Sequence, residues 1–258
     1  MNPESIPSPK AFLLDLDGTV YKGSSPIPGA TETINAAQQA GIRCLFITNR
    51  SNRPREIVRD QLRAQGIPCD TEDVVTTAET TARYCRSGSA YVIGETGLLQ
   101  ACREQGLSIA DDRADATDWV VVSIDRNFTY RKLHSAMRLI LNGATFVATN
   151  IDARLLLDDG PVPGTGTIVS AVQFATGKTP IVIGKPSPHL FNDALRQLGI
   201  RPEEALTIGD NIHTDIAAGT AAAIPTVLLR TGFSATEPST ATYTCDGWSD
   251  LAAALRLA

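Results

Sequence analysis

Short apolar segments that alternate with helix-like segments constrain the fold of this chain most strongly. Near its beginning, strand-length apolar runs and amphipathic stretches follow one another at 11–16, 30–41, 42–48, 54–66 and 74–76. Strands that are apolar along their whole length, and that are separated by helices, are typical of a parallel sheet with helices on both faces. The sequence therefore predicts an α/β fold.

The same alternation returns in the last third of the chain. Strands are expected at 181–183, 205–209 and 226–229, and helices at 190–198, from 215 onward and at 250–256. The 258 residues suffice for two domains, and the middle of the chain has an alternation of its own. We predict a core of residues 1–79 and 180–258, with residues 80–179 inserted as a second α/β domain.

The inserted stretch is predicted to contain a complete set of elements. Its expected strands lie at 90–93, 119–123 and 144–148, and its expected helices lie near 97–105, 130–141 and 167–176.

The composition excludes several classes of protein. The formal net charge is -5, so no broad basic surface for nucleic acid is indicated. No apolar run approaches the length of a membrane span, and the first ten residues lack the apolar centre of a signal peptide. Five cysteines without a CxxC pair indicate neither a disulfide framework nor a cysteine zinc site. We expect a cytoplasmic protein with no nucleic-acid or membrane partner.

The first predicted strand ends in two carboxylates, in the sequence DLDGT. Ligands of an open parallel sheet bind beyond the carboxyl ends of its strands, where Asp15 and Asp17 are expected. One carboxylate could attack phosphorus while the other transfers protons, and Gly18 permits a tight turn. Since Asp and Gly are also common in simple turns, the motif alone leaves both interpretations open.

Polar residues also follow two other predicted strands. Thr48 and Asn49 end the strand at 42–48, where a hydroxyl and an amide could donate to phosphate oxygens. Taken alone, a helix N-cap or a turn is the better interpretation of these two residues. Lys185, just past the strand at 181–183, could place a positive charge over a phosphoryl group. A lone lysine is more often a solvated surface residue.

The segment GDNIHTD follows the strand at 205–209 and adds two further carboxylates. Asp210 is expected at the same sheet edge as Asp15, and Mg²⁺ prefers such hard oxygen ligands. Asp215 is expected to orient a metal-bound water or Lys185, with an N-cap of the next helix as the alternative. Because all four segments end predicted strands, their combination favours one site with a nucleophile, a metal and donors for an anion.

These four segments resemble the four motifs of the haloacid dehalogenase superfamily. DLDGT matches the first motif, Thr48 the second, Lys185 the third and GDNIHTD the fourth. The segments YKGSSPIPGA, PVPGTGTIV and GKPSP and residues 148–152 are similar to the NagD/para-nitrophenylphosphatase branch, and ITNRSN looks closest to AraL-like sugar-phosphate phosphatases. The resemblance implies a Rossmann-like parallel-sheet core with an inserted α/β (C2-type) cap domain.

The resemblance also implies a role for each motif residue. Asp15 would attack phosphorus, form an aspartyl-phosphate and ligate Mg²⁺. Asp17 would protonate the leaving oxygen and then activate water, and its backbone carbonyl would ligate the metal. Asp210 would be the other protein ligand of the metal. The residues implied to hold the phosphate are Thr48, Asn49 and Lys185.

Residues of the predicted cap bear on the substrate. The family comparison suggests that the loop with Asn150 and Asp152 reads the leaving group, and a plain Asn/Asp turn is an equal alternative. Leu155 stands where similar pyridoxal-phosphate phosphatases carry a histidine, which argues against that substrate. Relatives often dimerise through the cap, so a homodimer is a further expectation.

The sequence therefore predicts a Mg²⁺-dependent phosphatase of small-metabolite phosphate monoesters. Sugar phosphates are favoured, and a nucleotide- or glycerol-phosphate-specific phosphatase is the alternative within the class. A non-catalytic metabolite-binding or regulatory protein on this scaffold would be expected to lack one of the acids, and all are present. Similar phosphomutases usually carry a helical cap soon after the first motif, which the long α/β insert disfavours. The segment at 164–169 begins like a dinucleotide-binding motif, but Val169 stands where the third glycine is required. We therefore do not predict a dinucleotide site there.

Overall fold

The computed structural model describes residues 6–157 and 160–257. The strands are β1 (Ala11–Asp15), β2 (Tyr21–Lys22), β3 (Ser25–Pro26), β4 (Arg43–Thr48), β5 (Val74–Thr76), β6 (Ser89–Ile93), β7 (Ser108–Ala110), β8 (Trp119–Val122), β9 (Thr145–Ala148), β10 (Arg154–Leu157), β11 (Gly160–Pro163), β12 (Ile181–Val182), β13 (Ala205–Gly209), β14 (Thr226–Leu229) and β15 (Tyr243–Cys245).

The helices alternate with these strands along most of the chain, and the predicted α/β class is confirmed. They are α1 (Ala30–Gln39), α2 (Arg55–Ala64), α3 (Thr77–Cys85), α4 (Thr96–Glu104), α5 (Tyr130–Leu141), α6 (Thr165–Thr176), α7 (His189–Leu198), α8 (Ala217–Ala221) and α9 (Trp248–Leu255). Shorter helical turns lie at Thr71–Asp73, Pro202–Glu204 and Ile212–Ile216. Within the described ranges, no helix combines the length and the hydrophobicity that a membrane span requires.

Contacts along the chain divide it into two compact units. The first unit comprises the described residues up to 48, residues 56–75 and those from 185 onward. The second unit comprises residues 49–55 and the described part of 76–184. The predicted insert at 80–179 lies inside the second of these ranges. Nothing in the sequence pattern indicated that residues 49–55, directly after β4, pack with the second unit.

The first unit is built on a sheet with the strand order β15-β14-β13-β1-β4-β5. The central strand β1 runs parallel to both β13 and β4, and Leu14 lies opposite Ile208 on one side and Phe46 on the other. All five residues of β1 are buried. A strand that is buried on both faces needs an apolar side chain at every position, which explains the uninterrupted run AFLL before Asp15.

Helices of the first unit cover its sheet through apolar faces. In α1 the buried residues include Ala30, Ile34 and Ala37, which recur at the spacing of one helix face. Ile34 belongs to one apolar cluster with Phe12 of β1 and Leu62 of α2. This packing holds β1 in the middle of the sheet and so fixes the place where its last residue emerges.

The second unit has its own parallel sheet, with the strand order β12-β9-β8-β6-β7. Val120 and Val122 of β8 pack in one apolar cluster with Leu139 of α5 and Val169 and Val172 of α6. Strands β10 and β11 pair antiparallel, with Leu155 opposite Val162. The unit therefore has a hydrophobic core separate from that of the first unit.

The structure corrects the prediction for the strand at 181–183. We expected it in the sheet of the core, but β12 pairs in parallel with β9, with Ile181 opposite Val147. This strand therefore belongs to the second unit. A run of three apolar residues does not specify its partner, because both sheets are parallel and accept the same residue types.

The other predicted elements agree with the structure to different degrees. Helix α3 was missed because its sequence, TAETTARYC, is rich in threonine and lacks a clear apolar stripe. The helix expected from residue 215 begins with a π-helical turn at Ile212–Ile216, and α8 follows it. The helix at Tyr130–Leu141 and the strands β13 and β14 have the predicted bounds.

Candidate active site

Three of the predicted site residues lie at one edge of the first unit's sheet. Asp15 is the last residue of β1 and pairs with Ile47, so Thr48 at the end of β4 lies one residue further along. Asp210 directly follows β13, the neighbour of β1 on its other side. The carboxyl ends of adjacent parallel strands meet at one edge. Topology alone therefore places Asp15 between Thr48 and Asp210.

Lys185 reaches this edge through its side chain. Its ammonium group donates to Oδ1 of Asp15 in a short hydrogen bond, and to Oδ1 of Asp215 at 2.6 Å. Lys185 is only 3% exposed. Burial lowers the pKa of Lys185, but the charges of Asp15 and Asp215 outweigh burial and hold that pKa above its ordinary value. The site therefore contains a permanent positive charge beside Asp15.

Asp215 lies in the π-helical turn and is almost fully buried. Its Oδ2 accepts from the backbone N–H of Asn211 at 3.2 Å, while its Oδ1 accepts from Lys185. The predicted orientation of Lys185 by Asp215 is present in this geometry. The N-cap alternative is wrong, because the Asn211 side chain caps this turn by accepting from the N–H of His213 at 2.9 Å.

The surroundings of Asp215 raise its pKa. Burial, and then the charge of Asp15, raise the pKa of Asp215 to about 7. In a simple ion pair, Lys185 would lower the pKa of its partner. Here the pKa values of both groups rise, because Asp215 is buried and also faces the charges of Asp15 and Asp210.

Asp210 lies against the turn that follows β1. Gly18 in that turn has a φ of +94°, and a Cβ on it would stand 2.5 Å from Oδ2 of Asp210. Oδ1 of Asp210 accepts from the Thr19 hydroxyl at 3.3 Å, and Oδ2 accepts from the N–H of Phe233 at 2.6 Å. Burial, and then the charge of Asp15, raise the pKa of Asp210 to about 6. Gly18 is thus required both by its backbone conformation and by this close approach.

Thr19 is a site residue that the sequence interpretation missed. Its hydroxyl lies 3.1 Å from Oδ2 of Asp15 and 3.3 Å from Oδ1 of Asp210, so it can donate to either carboxylate. Its backbone carbonyl accepts from the indole N–H of Trp248 at 2.8 Å. The signal was present in DLDGT, where the threonine was treated as part of the turn rather than as a hydrogen-bond donor.

The donor set fits a divalent cation. Asp15, Asp210 and Asp215 are buried, and each offers an oxygen within 4.8 Å of the others. The ammonium group of Lys185 contacts two of these carboxylates, those of Asp15 and Asp215. Buried carboxylates whose charge is incompletely balanced are a typical environment for Mg²⁺, which prefers hard oxygen ligands. The prediction named Asp15 and Asp210 as side-chain ligands, and the geometry adds Asp215 to their group.

Asp17 occupies a different environment from the other carboxylates. Its side chain is exposed, while the backbone around it is held by a hydrogen bond from the N–H of Gly18 to the carbonyl of Tyr21 at 2.8 Å. An exposed carboxylate two residues after Asp15 can exchange protons with solvent, which suits the predicted acid and base.

Three of the predicted residues form a hydrogen-bonded group in the second unit. Oδ2 of Asp152 accepts from the amide of Asn49 at 3.1 Å and from the amide of Asn150 at 2.6 Å. Asn49 belongs to this unit through residues 49–55, although it follows β4 directly in the chain. The contacts predicted for Asn49, Asn150 and Asp152 with a phosphate or a leaving group stay predictions.

Comparison with protein families agrees with this geometry. The family model described as haloacid dehalogenase-like hydrolase matches residues 12–108, and a second model, described as HAD-hydrolase-like, matches residues 182–252. Together they cover more than half of the chain. The chain belongs to the haloacid dehalogenase-like hydrolase family. Its predicted membership of this superfamily is therefore confirmed.

Family members with curated names cover nearly the same length. The 5'-nucleotidase YutF of Bacillus subtilis (strain 168) is 40% identical over 235 residues, which is 90% of this chain and 91% of that protein. An acid sugar phosphatase of Staphylococcus aureus (strain USA300) is 40% identical over 232 residues, which is 88% of this chain and 89% of that protein.

Solved structures of the family place the chain in the predicted branch. The p-nitrophenyl phosphatase from Archaeoglobus fulgidus is 31% identical with a TM-score of 0.90, covering 96% of this chain and 100% of that chain. NagD from E. coli K-12 is 27% identical with a TM-score of 0.85, covering 93% of this chain and 97% of that chain. These likenesses confirm the NagD/para-nitrophenylphosphatase-like branch.

Proposed function

We propose that the chain is a phosphatase that hydrolyses phosphate monoesters of small metabolites through an aspartyl-phosphate on Asp15. The enzyme class, a phosphoric monoester hydrolase, follows from relatives named as a 5'-nucleotidase and as an acid sugar phosphatase, each aligned over about nine-tenths of its length. The observation that carries the proposal is the buried contact of Asp15 with Lys185 at the edge of a parallel sheet. That contact places a positive charge beside the carboxylate that would attack phosphorus, where it can offset the negative charge of a phosphoryl group.

The chain's own residues suffice to describe the transfer of the phosphoryl group. A carboxylate oxygen of Asp15 attacks phosphorus, and the bond between phosphorus and the ester oxygen breaks. Asp17 gives its proton to the departing oxygen. In the second half, Asp17 takes a proton from water as that water attacks phosphorus, and Asp15 leaves as a carboxylate. Lys185 offsets the negative charge of the phosphoryl group in both halves, and Thr48 would hold its oxygens.

We further propose that the site binds Mg²⁺. Asp15 and Asp210 would hold the ion with the backbone carbonyl of Asp17, and Asp215 lies in the same group of carboxylates. When bound, the ion would supply additional neutralisation of charge on the phosphoryl oxygens. The fit rests on the buried, incompletely balanced carboxylates and on the preference of Mg²⁺ for such ligands.

The substrate class is proposed from the second unit and from the sequence. Asn49, Asn150 and Asp152 form a connected group of amide and carboxylate atoms, which suits a leaving group rich in hydroxyls. The preference for sugar phosphates over glycerol phosphate and nucleotides rests on the resemblance of ITNRSN to AraL-like sugar-phosphate phosphatases. The relatives do not separate these classes, because one bears the name of a nucleotidase and another that of a sugar phosphatase at equal identity.

Hydrolysis of para-nitrophenyl phosphate by the purified protein tests the proposed activity. We expect release of para-nitrophenolate with Mg²⁺ and a complete stop when EDTA is added. No release with any divalent metal would refute the phosphatase. A screen of sugar phosphates, nucleoside monophosphates and glycerol phosphates, compared by kcat/KM, then tests the substrate class. The homodimer and the cytoplasmic location stay predictions, and sedimentation of the full chain tests the former.

A further inference from the structure

We propose that residues 231–234, the loop after β14, position the carboxylate of Asp210 and the turn that follows Asp15. We call these residues the 231–234 loop. The inference rests on the proposed function, since that function makes Asp210 a ligand of the cation. None of the four sequence motifs includes this loop, and it lies 21 or more residues after Asp210 in the chain.

Gly232 allows the loop to approach Asp210 closely. A Cβ built on Gly232 would stand 2.0 Å from Oδ2 of Asp210 and 2.7 Å from its Cγ. Among the described residues, Gly232 is not one of the glycines with a positive φ. Its backbone conformation is therefore open to other residues, and the requirement for glycine is one of space alone.

The loop also donates hydrogen bonds to Asp210 and to the turn. The N–H of Phe233 donates to Oδ2 of Asp210 at 2.6 Å, and the N–H of Ser234 donates to its backbone carbonyl at 3.0 Å. The hydroxyl of Thr231 donates to the carbonyl of Gly18 at 2.9 Å. The 231–234 loop therefore holds both segments that the proposed metal site requires.

The carboxylate of Asp210 consequently lies between two glycines. Gly18 approaches Oδ2 from one segment, and Gly232 approaches the same oxygen from another. The N–H of Phe233 donates to Oδ2, and Oδ1 lies 3.3 Å from the Thr19 hydroxyl, which is shared with Asp15. A ligand held in one orientation before the cation arrives loses less entropy on binding, and supporting hydrogen bonds of this kind tune metal affinity.

The loop itself is anchored at its carboxyl end. The hydroxyl of Ser234 is fully buried, accepts from the N–H of Ile212 at 3.2 Å and donates to Oε1 of Glu237 at 3.1 Å. The guanidinium of Arg230 donates to the carbonyl of Ala235 at 2.5 Å. These contacts fix the loop against the segment of Asp210, so displacement of one is expected to displace the other.

Two variants with matched controls test the proposal. Gly232→Ala places a methyl group against the Asp210 carboxylate, and Thr231→Val removes the hydroxyl that donates to Gly18. The controls are Gly247→Ala, where an added Cβ meets nothing within 4 Å, and Thr236→Val at an exposed position of the same segment. The readout is the rise in melting temperature during a titration with Mg²⁺ alone, which gives an apparent Kd without catalysis.

We expect Gly232→Ala to weaken the apparent Mg²⁺ affinity by about 10- to 100-fold, as changes in supporting residues of metal sites do. Thr231→Val should weaken the apparent Mg²⁺ affinity by about 3- to 10-fold, because it removes one hydrogen bond. Both controls should match the wild-type protein. The Mg²⁺ concentration for half-maximal hydrolysis of para-nitrophenyl phosphate should shift in the same order.

The outcomes separate this inference from the proposed function. A Gly232→Ala variant with the Mg²⁺ affinity of Gly247→Ala would overturn the role of the loop alone. Should Gly232→Ala fail to fold, wild-type affinity in Thr231→Val would overturn it instead. A wild-type protein that neither binds Mg²⁺ nor hydrolyses the ester would overturn the proposed function, and the inference with it.

Discussion

At the scale of single residues, the site is governed by an imbalance of buried charge. Asp15, Asp210 and Asp215 are each less than 10% exposed, and the ammonium group of Lys185 is shared between two of them. Buried charges are costly unless they are paired. Lys185 therefore has a structural role that cannot be separated from its proposed contact with the phosphoryl group, and both roles are open to measurement.

Replacing Lys185 with methionine should damage both activity and stability. The variant keeps the length of the side chain but leaves two buried carboxylates without their partner. We expect kcat for para-nitrophenyl phosphate to fall by about 10²- to 10³-fold, and the free energy of unfolding in urea to fall by about 3–5 kcal/mol. Lys178→Met, at an exposed position, is the control. Equal effects of the two changes would contradict the assigned role.

The raised pKa values of Asp210 and Asp215 predict a pH dependence of metal binding. Their pKa values are about 6 and about 7 in the folded, metal-free protein, against an ordinary value of 3.8. Between about pH 4 and pH 7 the folded state therefore binds more protons than the unfolded state, so these groups stabilise the metal-free protein less as pH rises. Mg²⁺ competes with those protons and should bind more strongly at the upper end of this window.

The measurement compares melting temperatures with EDTA and with Mg²⁺ at pH 5 and pH 8. We expect Mg²⁺ to raise the melting temperature at pH 8 and to have little effect at pH 5. Groups away from the site contribute equally to both series, so the difference isolates the carboxylates. An increment of the same size at both pH values would argue against these residues as the metal site.

Sequence could predict the charged members of the site but not its shape. Asp15, Asp210 and Lys185 follow predicted strands or motifs, and the structure brings them together. Thr19 and Gly232 were not predicted, because a bridging hydroxyl and an absent side chain matter only through distances between segments far apart in sequence.

At the scale of elements, uninterrupted apolar runs predicted strands correctly, whereas short or polar segments did not predict an element or its partner. Strand β1 and its neighbours β4 and β13 were predicted correctly. A strand that is buried on both faces is apolar along nearly its whole length, and such a run is easily recognised in a sequence. The partner of β12 was predicted wrongly, because two residues carry no information on which parallel sheet they join. The π-helical turn at Ile212–Ile216 was not predicted either, and it contains Asp215, whose carboxylate accepts from Lys185.

The first residue of helix α9 is expected to contribute to the free energy of unfolding through a hydrogen bond. This residue, Trp248, is buried and donates its indole N–H to the carbonyl of Thr19. Trp248→Phe should lower the free energy of unfolding by about 1–3 kcal/mol, because it leaves a buried carbonyl without this donor. Trp119→Phe is the matched control, since its indole N–H donates to the carbonyl of Ser87 in an exposed place where water can substitute.

Urea denaturation of both variants decides this prediction. Trp119→Phe should lose less than about 1 kcal/mol. Equal losses would indicate that the indole of Trp248 contributes mainly by packing, rather than by its hydrogen bond to the turn after Asp15.

At the scale of the whole molecule, the division into units could be anticipated and the substrate could not. Two runs of alternating strands and helices, separated by a third, indicated an inserted α/β unit, and the structure has two compact units with separate cores. The attachment of residues 49–55 to the second unit depends on contacts such as that of Asn49 with Asp152, which no periodicity reveals.

Detection of phosphate on Asp15 tests the central claim most directly. In Asp17→Asn the second half of the reaction should be slow, because no base activates water. The first half should still proceed with para-nitrophenyl phosphate, whose leaving group needs no proton. Acid quenching and mass spectrometry of the peptide that contains Asp15 should then find it phosphorylated, and the additional change Asp15→Asn should abolish the modification. Phosphate on another residue, or steady turnover by Asp15→Asn, would contradict this account.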